Sequence, residues 1–468
     1  MFSPEDYTII ANLLPRLLGA IYFIAFWPFL FQIRGLLGEN GILPVTLYLS
    51  YIKQRLGKRA YYLVPSLFWF NASNRALMGV CALGIVCSLL LVFGIYPSFM
   101  LLCVYLLYLS IISVGQDFLS FGWEVFLQEV ALNTLLLSLT PMPNLMVWIS
   151  INFLLFRFYL QSGVVKLQSQ DPNWKNLTAV AFHYESQPIP NTVAWYFHKL
   201  PMWFHKFSCL FMYFVEIVAP FFLFLTEEIR LVVCFLFLSL QFFIWLTGNF
   251  SYLNYVTIVF SLILLNNSFL EYWGMTTPQV FAPPLLLDSF LSVAGASLLT
   301  LQVFRLWDHF FPNARFRTIL NQVSNLHLAN RYGIFAIMTT TRYEMVVQGS
   351  DDGKTWKEYT FKHKPSELSR RPRRIAPYQP RIDWQAWFLP FRPFNQEYWF
   401  QSFIAHCLRG NKEVLALLRH NPFPDHPPKY INTVVYIYTF TSFAEKKATG
   451  NWWNRRFIGF YGPICSLK

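Results

Sequence analysis

Eight or nine apolar stretches occupy the first two thirds of this chain, near 13–33, 76–95, 98–114, 124–140, 145–167, 207–225, 230–247, 252–266 and 284–306. About 20 helical residues are needed to cross the hydrocarbon of a bilayer. In lipid, every backbone N–H and C=O must be satisfied inside the segment or by neighbouring protein. Runs of this length, repeated this often, predict a polytopic α-helical membrane bundle. Composition agrees: 55% of the 468 residues are hydrophobic and 13% are charged, against about a quarter charged in soluble domains. Several stretches are short for a span and suit tilted or re-entrant helices. The first lacks a basic leader and a small-residue cleavage site, so it reads as a spanning helix rather than a signal peptide.

Charge divides the chain in two. Residues 1–311 hold 14 basic and 14 acidic side chains; residues 312–468 hold the remaining 23 and 10, so the whole excess of +13 lies in the C-terminal third. We therefore expect a neutral transmembrane domain over 1–311 and a basic, water-facing domain over 312–468. Such a surface suits anionic lipid headgroups or an acidic partner. No nucleic-acid-binding motif accompanies it. The 34–75 loop carries Lys53, Arg55, Lys58 and Arg59, and positive-inside counting puts it on the cytoplasmic side.

Within the basic part, Tyr343, Met345 and Val347 alternate, Asp351-Asp352-Gly353 supplies a turn, and Trp356, Tyr359 and Phe361 follow, which predicts a hairpin. The proline- and arginine-rich stretch 365–393 reads as an extended connector on the domain surface. Helical patterning covers 398–419, Asn421-Pro422-Phe423-Pro424-Asp425 stops it, and 430–440 alternates as a strand. The expectation is a strand-rich α+β, β-sandwich-like domain. Cys407 and Cys465 would be able to pair in an oxidising compartment; the other five cysteines lie in apolar segments.

Ionisable residues inside apolar runs need a reason, because unpaired charge in hydrocarbon costs several kcal/mol. Glu124 and Glu129 lie in the fourth run, Arg157 and Lys166 in the fifth. One reading is an ion-paired bundle in which the two carboxylates neutralise the two cations. The other is a polar cavity in which a desolvated Lys166 acts as a base. The loop over 168–204 contains His183-Tyr184-Glu185, where His183 and Glu185 are an acid–base candidate pair, and the prolines Pro188 and Pro190. His198 and His205 are seven apart, but the spacing shows no convergent zinc ligands, and no metal or cofactor is expected. Thr247-Gly248-Asn249 fits a helix break lining a cavity or an ordinary loop. Asn71, Asn176, Asn249 and Asn266 begin glycosylation tripeptides. G-x-S-x-G, Gly-rich phosphate loops and H-E-x-x-H are missing, which lowers hydrolase, nucleotide and metalloprotease readings.

Four blocks taken together carry a resemblance. They are Gly163-Val-Val-Lys-Leu167 with Asp171-Pro-x-Trp174; His183-Tyr-Glu-Ser-Gln-Pro-Ile-Pro190; Leu246-Thr-Gly-Asn-Phe-Ser-Tyr-Leu-Asn254; and, in the basic part, Gly349-Ser-Asp-Asp-Gly353 with Trp356, Pro377-Tyr-Gln-Pro-Arg-Ile-Asp-Trp384, Asn421-Pro-Phe-Pro-Asp425 and Gly450-Asn-Trp-Trp453. With them the chain resembles the lipase maturation factor family; its membrane part is also distantly similar to the vitamin K-dependent carboxylase-type transmembrane domain. The first likeness implies a non-catalytic folding factor for secreted lipases, with the basic domain facing its client in the lumen of the endoplasmic reticulum, or a bacterial inner-membrane counterpart. Trp356, Trp384, Trp387, Trp452 and Trp453 are then the expected client contacts, rimmed by Arg371, Arg373 and Arg374. The rival expectation is a membrane enzyme acting on a lipid or lipid-linked substrate through Lys166, His183 and Glu185.

Overall fold

The structure is a computed structural model that describes residues 3–467. Its first part is a bundle of α1 (Thr8–Phe26), α2 (Asn74–Val92), α3 (Pro97–Val114), α4 (Gly122–Leu137), α5 (Leu145–Gln168), α6 (Met202–Tyr213), α7 (Glu227–Thr247), α8 (Leu253–Ser261) and α9 (Leu285–Phe310). Among the described residues, seven helical stretches are long and apolar enough to cross a membrane; α4 and α8 are shorter elements. This is an integral multi-pass membrane protein.

Local chemistry sets the helix ends. Ser73 accepts from Ala76 N and starts α2, while Asn144 accepts from Met146 and Val147 N and starts α5. Small residues let backbones approach. A Cβ on Gly19 of α1 would lie 2.8 Å from Val92 N and 2.9 Å from Ser88 O, so α1 and α2 pack at the glycine. After α6 the chain makes a π-helical turn, Phe214–Val218, before Ala219–Phe222.

Successive helices alternate in direction. One face of the bundle gathers the turns near 93–96, 138–144 and 265–284, joined by Ser98 Oγ to Ser138 O at 2.7 Å and by Asn267 Oδ1 accepting from Ile9 N at 3.0 Å. The other face gathers 27–73, 115–121, 169–201, 248–252 and the whole C-terminal region.

That region holds a four-stranded antiparallel sheet of β1 (Arg342–Ser350), β2 (Lys357–Glu358), β3 (Tyr430–Phe440) and β4 (Trp453–Phe460), ordered β2-β1-β3-β4. Helical bundle and α+β region are thus both present. The predicted hairpin and the 430–440 strand lie where expected, with Val346 opposite Val434. The sheet is a single layer; helices such as α11 (Tyr398–Leu408) supply the second layer in place of another sheet.

Three expectations are corrected. The 365–393 stretch is no surface connector: it contains α10 (Arg381–Ala386), every residue of which is buried. The C-terminal region is not simply water-facing, because it is sewn into the bundle. Gln32 Nε2 donates to Gln379 O at 2.9 Å, Ser402 Oγ to Ile42 O at 2.6 Å, and Arg34 pairs with Glu413. Cys407 and Cys465 are free thiols, Cys407 buried in the core and Cys465 beside β3.

Candidate functional site

Buried charge gathers at several places among the described residues, and two of them bear on a candidate site. The first is the seam between bundle and C-terminal region. Glu124, at the start of α4, receives Arg381 Nη1 at 2.8 Å, Tyr252 OH at 2.6 Å, Trp123 Nε1 at 3.1 Å and Tyr108 OH. Arg381 also donates to Phe118 O at 2.7 Å and lies 4.2 Å over the Phe29 ring. Five residues on, Glu129 pairs with Arg157 and accepts from Tyr332 OH at 2.6 Å and from Asn330 N and Nδ2 at 2.8 and 2.9 Å. Both carboxylates are thus saturated with donors, several of which come from the C-terminal region. A carboxylate this well partnered is a packing device. Nothing on it is left for a substrate.

The second place is a cavity of about 230 Å³ in the half of the bundle beneath the 169–201 loop. Lys166, two residues before the end of α5, donates to Glu216 Oε2 at 2.5 Å and to Ser162 O at 2.9 Å. Glu216 is delivered by the π-helical turn; such turns recur at functional sites. Gly163 makes the approach possible, since a Cβ there would lie 2.5 Å from Ile217 Cγ1 and 2.9 Å from Glu216 Cβ. The floor is completed by Gln241 and Asn254, joined at 2.8 Å, and by Thr257. The walls are aromatic, with Phe158, Trp174, Phe204, Phe211, Phe243 and Phe250 among them. The helix break after Thr247 belongs to this lining.

His183 lines the same cavity from the short helix Ala179–Ser186, stacked on Phe250 at 5.8 Å and edge-on to Phe335 at 4.9 Å. Its imidazole has no hydrogen-bond partner among the described residues. Burial, reinforced by the Lys166 cation, pulls its pKa down to about 4, so it is neutral at physiological pH.

The sequence-derived site is therefore partly assembled and partly dispersed. Lys166 and His183 share the cavity. Glu185 does not join them: its Oε2 accepts from Phe440 N at 2.6 Å and faces His198 at 3.7 Å, on the sheet side of the loop. The expectation that both α4 carboxylates neutralise both α5 cations is corrected at Lys166, whose partner is Glu216, and at Glu124, whose partner is Arg381. His205 packs against Tyr184, and no group of three or more His, Cys, Asp or Glu suited to a metal occurs among the described residues. Asn249 is buried. Its Nδ2 donates to Ile189 O and Arg373 O at 3.1 and 2.9 Å, and its Oδ1 accepts from Ile375 and Ala376 N at 2.8 and 3.1 Å, so it is a structural clip with no room for a glycan.

The aromatic client contacts are also corrected. Trp384, Trp452 and Trp453 are buried core residues. Trp387 is half-buried, and its Nε1 donates to Ser186 O at 2.7 Å. Trp356 is half-buried, and Arg371, Arg373 and Arg374 are exposed. Arg371 binds Thr192 Oγ1 at 3.0 Å, and Arg374 lies 3.9 Å over the Trp245 ring, so both also hold the seam. What the sequence reading missed is β4. It is an edge strand, and Arg455, Arg456, Phe457, Ile458 and Phe460 are all exposed on it. Two consecutive exposed apolar residues, Phe457 and Ile458, were the available signal.

Comparison with known proteins accounts for both parts. The lipase maturation factor transmembrane domain matches residues 9–272 and the lipase maturation factor C-terminal domain matches 328–463. Lipase maturation factor 1 of Mus musculus is 34% identical over 97% of this chain and 86% of its own length. The Homo sapiens protein of that name is 32% identical over 97% and 87%, and lipase maturation factor 2 of Xenopus tropicalis is 29% identical over 96% and 81%. No solved structure matches. With matches running through bundle and sheet alike, the chain belongs to the lipase maturation factor family.

Proposed function

We propose that this protein is a membrane-anchored maturation factor for lipases, and that it holds its client on the outer surface of the C-terminal sheet. What carries the reading is membership of a family whose relatives bear that name, along 97% of the chain. The β4 edge supports it: Phe457 is 53% and Phe460 64% exposed, beside two arginines and a row of unpaired strand groups that suits an incompletely folded chain. The face that bears the sheet then lies on the side to which lipases are exported, the lumen of the endoplasmic reticulum in an animal cell.

The test is secretion of a co-expressed lipase with Phe457→Asp/Phe460→Asp. A hot-spot loss of about 2 kcal/mol weakens client binding about 30-fold. Active lipase in the medium should therefore fall steeply, while abundance and thermal stability of the factor stay unchanged. Undiminished lipase activity overturns the assignment of β4. A second reading, an enzyme acting on lipid, is favoured by the cavity that places Lys166 beside His183. It requires Lys166→Ala and His183→Ala to lose function at normal protein abundance.

A further inference from the structure

The cavity has a chemistry that the client surface does not explain. Its floor is polar and its walls are aromatic. Its outer wall, between α6 and α7, is made of side chains that also face outward. Phe207 is 60% and Phe243 48% exposed, and both line the cavity. In a membrane-spanning bundle that outward surface faces lipid. The opening therefore leads to the bilayer.

Hydrocarbon gains little by leaving lipid tails for apolar protein, because the two surroundings are alike. A molecule drawn sideways into this cavity must be held by its polar end, where hydrogen bonds are strong because water is excluded. The floor offers such bonds. Lys166 has three N–H donors and commits two, to Glu216 and Ser162. His183 presents an unpartnered neutral imidazole, and the Gln241–Asn254 pair lines the same cavity. The charge balance then selects the ligand. Lys166 and Glu216 cancel, and His183 is uncharged, so the floor carries no net charge. A carboxylate or phosphate arriving there would meet the Glu216 carboxylate with no spare cation.

We infer that the cavity between α6 and α7 is a binding site for an uncharged membrane amphiphile, whose hydroxyl or carbonyl end sits at Lys166, His183 and Gln241 and whose hydrocarbon chain leaves through the Phe207–Phe243 opening into the bilayer. This goes beyond the client reading and does not depend on it.

The experiment uses the full chain in phosphatidylcholine vesicles and three photoactivatable alkyl probes of equal chain length: a diacylglycerol, a fatty acid and a phosphatidic acid. The diacylglycerol should label peptides within 202–216 and 240–257, be competed by unlabelled diacylglycerol, and exceed both anionic probes at least about tenfold, the ratio that 1.4 kcal/mol produces. Ser208→Trp, which fills the cavity, should abolish that labelling at an unchanged unfolding midpoint in detergent, and Gln241→Leu, which strips a polar group from the floor and leaves Asn254 without its partner, should abolish it in a chain that still folds with a lowered midpoint. If one variant fails to fold, the other decides. Equal or stronger labelling by an anionic probe overturns the uncharged ligand. Labelling spread over the outer helices and indifferent to both substitutions overturns the site.

Discussion

Arg381 and Glu124 are fully buried partners drawn from positions 257 residues apart. Removing one partner of such a pair leaves the other charge stranded, at about 3–5 kcal/mol, whereas replacing both is often neutral. Arg381→Met should accordingly lower the unfolding midpoint in detergent sharply, and Glu124→Gln added to it should restore most of the loss. Asn249→Ala belongs to the same scale, because four backbone groups from two segments, Ile189 and 373–376, lose their partner at once. His183 sets a pH dependence. Its folded pKa lies near 4, against 6.5 for the free side chain, so between these values the unfolded chain takes up a proton that the folded chain refuses. The contribution of this group to stability is intact above pH 6.5 and declines as pH falls toward 4. His183→Gln should flatten that part of the midpoint-versus-pH curve. Single residues were only half legible in advance. That Glu124 and Arg157 need partners follows from burying charge in an apolar run; that Glu124 finds Arg381 does not, since nothing local to either residue points at the other.

At the scale of elements, the approach of α5 to the π-helical turn depends on a missing side chain. Gly163→Leu should push the turn away, break the Lys166–Glu216 contact and destabilise the bundle by about 1–3 kcal/mol, the usual cost of overpacking; Gly163→Ala should do so less. Thermal unfolding in detergent checks the order. Elements with a strong period were readable. β3 alternates and appears at 430–440 as expected, and the long apolar helices follow from length and hydropathy alone. The 365–393 stretch was misread because proline and arginine suppress any period, while the segment is held by particular bonds, Gln32 to Gln379 and Arg381 to Glu124. β4 carries no alternating signal in its residues: the like pairs Arg455-Arg456 and Phe457-Ile458 stand side by side, and all four are exposed, as an uncovered edge strand permits.

At the scale of the molecule, helix alternation places 34–73 and the C-terminal region on one face, and Tyr105 OH, donating to Leu326 O at 2.6 Å, ties the stretch that follows α9 to the middle of α3. Cysteines substituted at Lys58, Lys175 and Asp351 should react with an impermeant maleimide from the same side of the membrane, and cysteines at Tyr96 and Glu271 from the opposite side. Positive-inside counting for the 34–75 loop and a luminal client domain therefore exclude one another. The client reading takes the lumen, consistent with large folded regions translocating regardless of their charge. Deleting residues 312–468 is a poor test of client binding, because it strands Glu124 and strips Tyr332 and Asn330 from Glu129. We expect the truncated bundle to be protease-sensitive rather than merely inactive. The amino-acid sequence by itself determined the helical membrane class, the basic C-terminal part, the main strands and the family likeness, because hydropathy, charge and periodicity are local properties of a chain. Only the tertiary structure decided which charges meet, that the C-terminal region is keyed into the bundle, and that Lys166, Glu216 and His183 enclose one cavity, because those depend on contacts between residues distant in sequence, and no short window of residues carries that information.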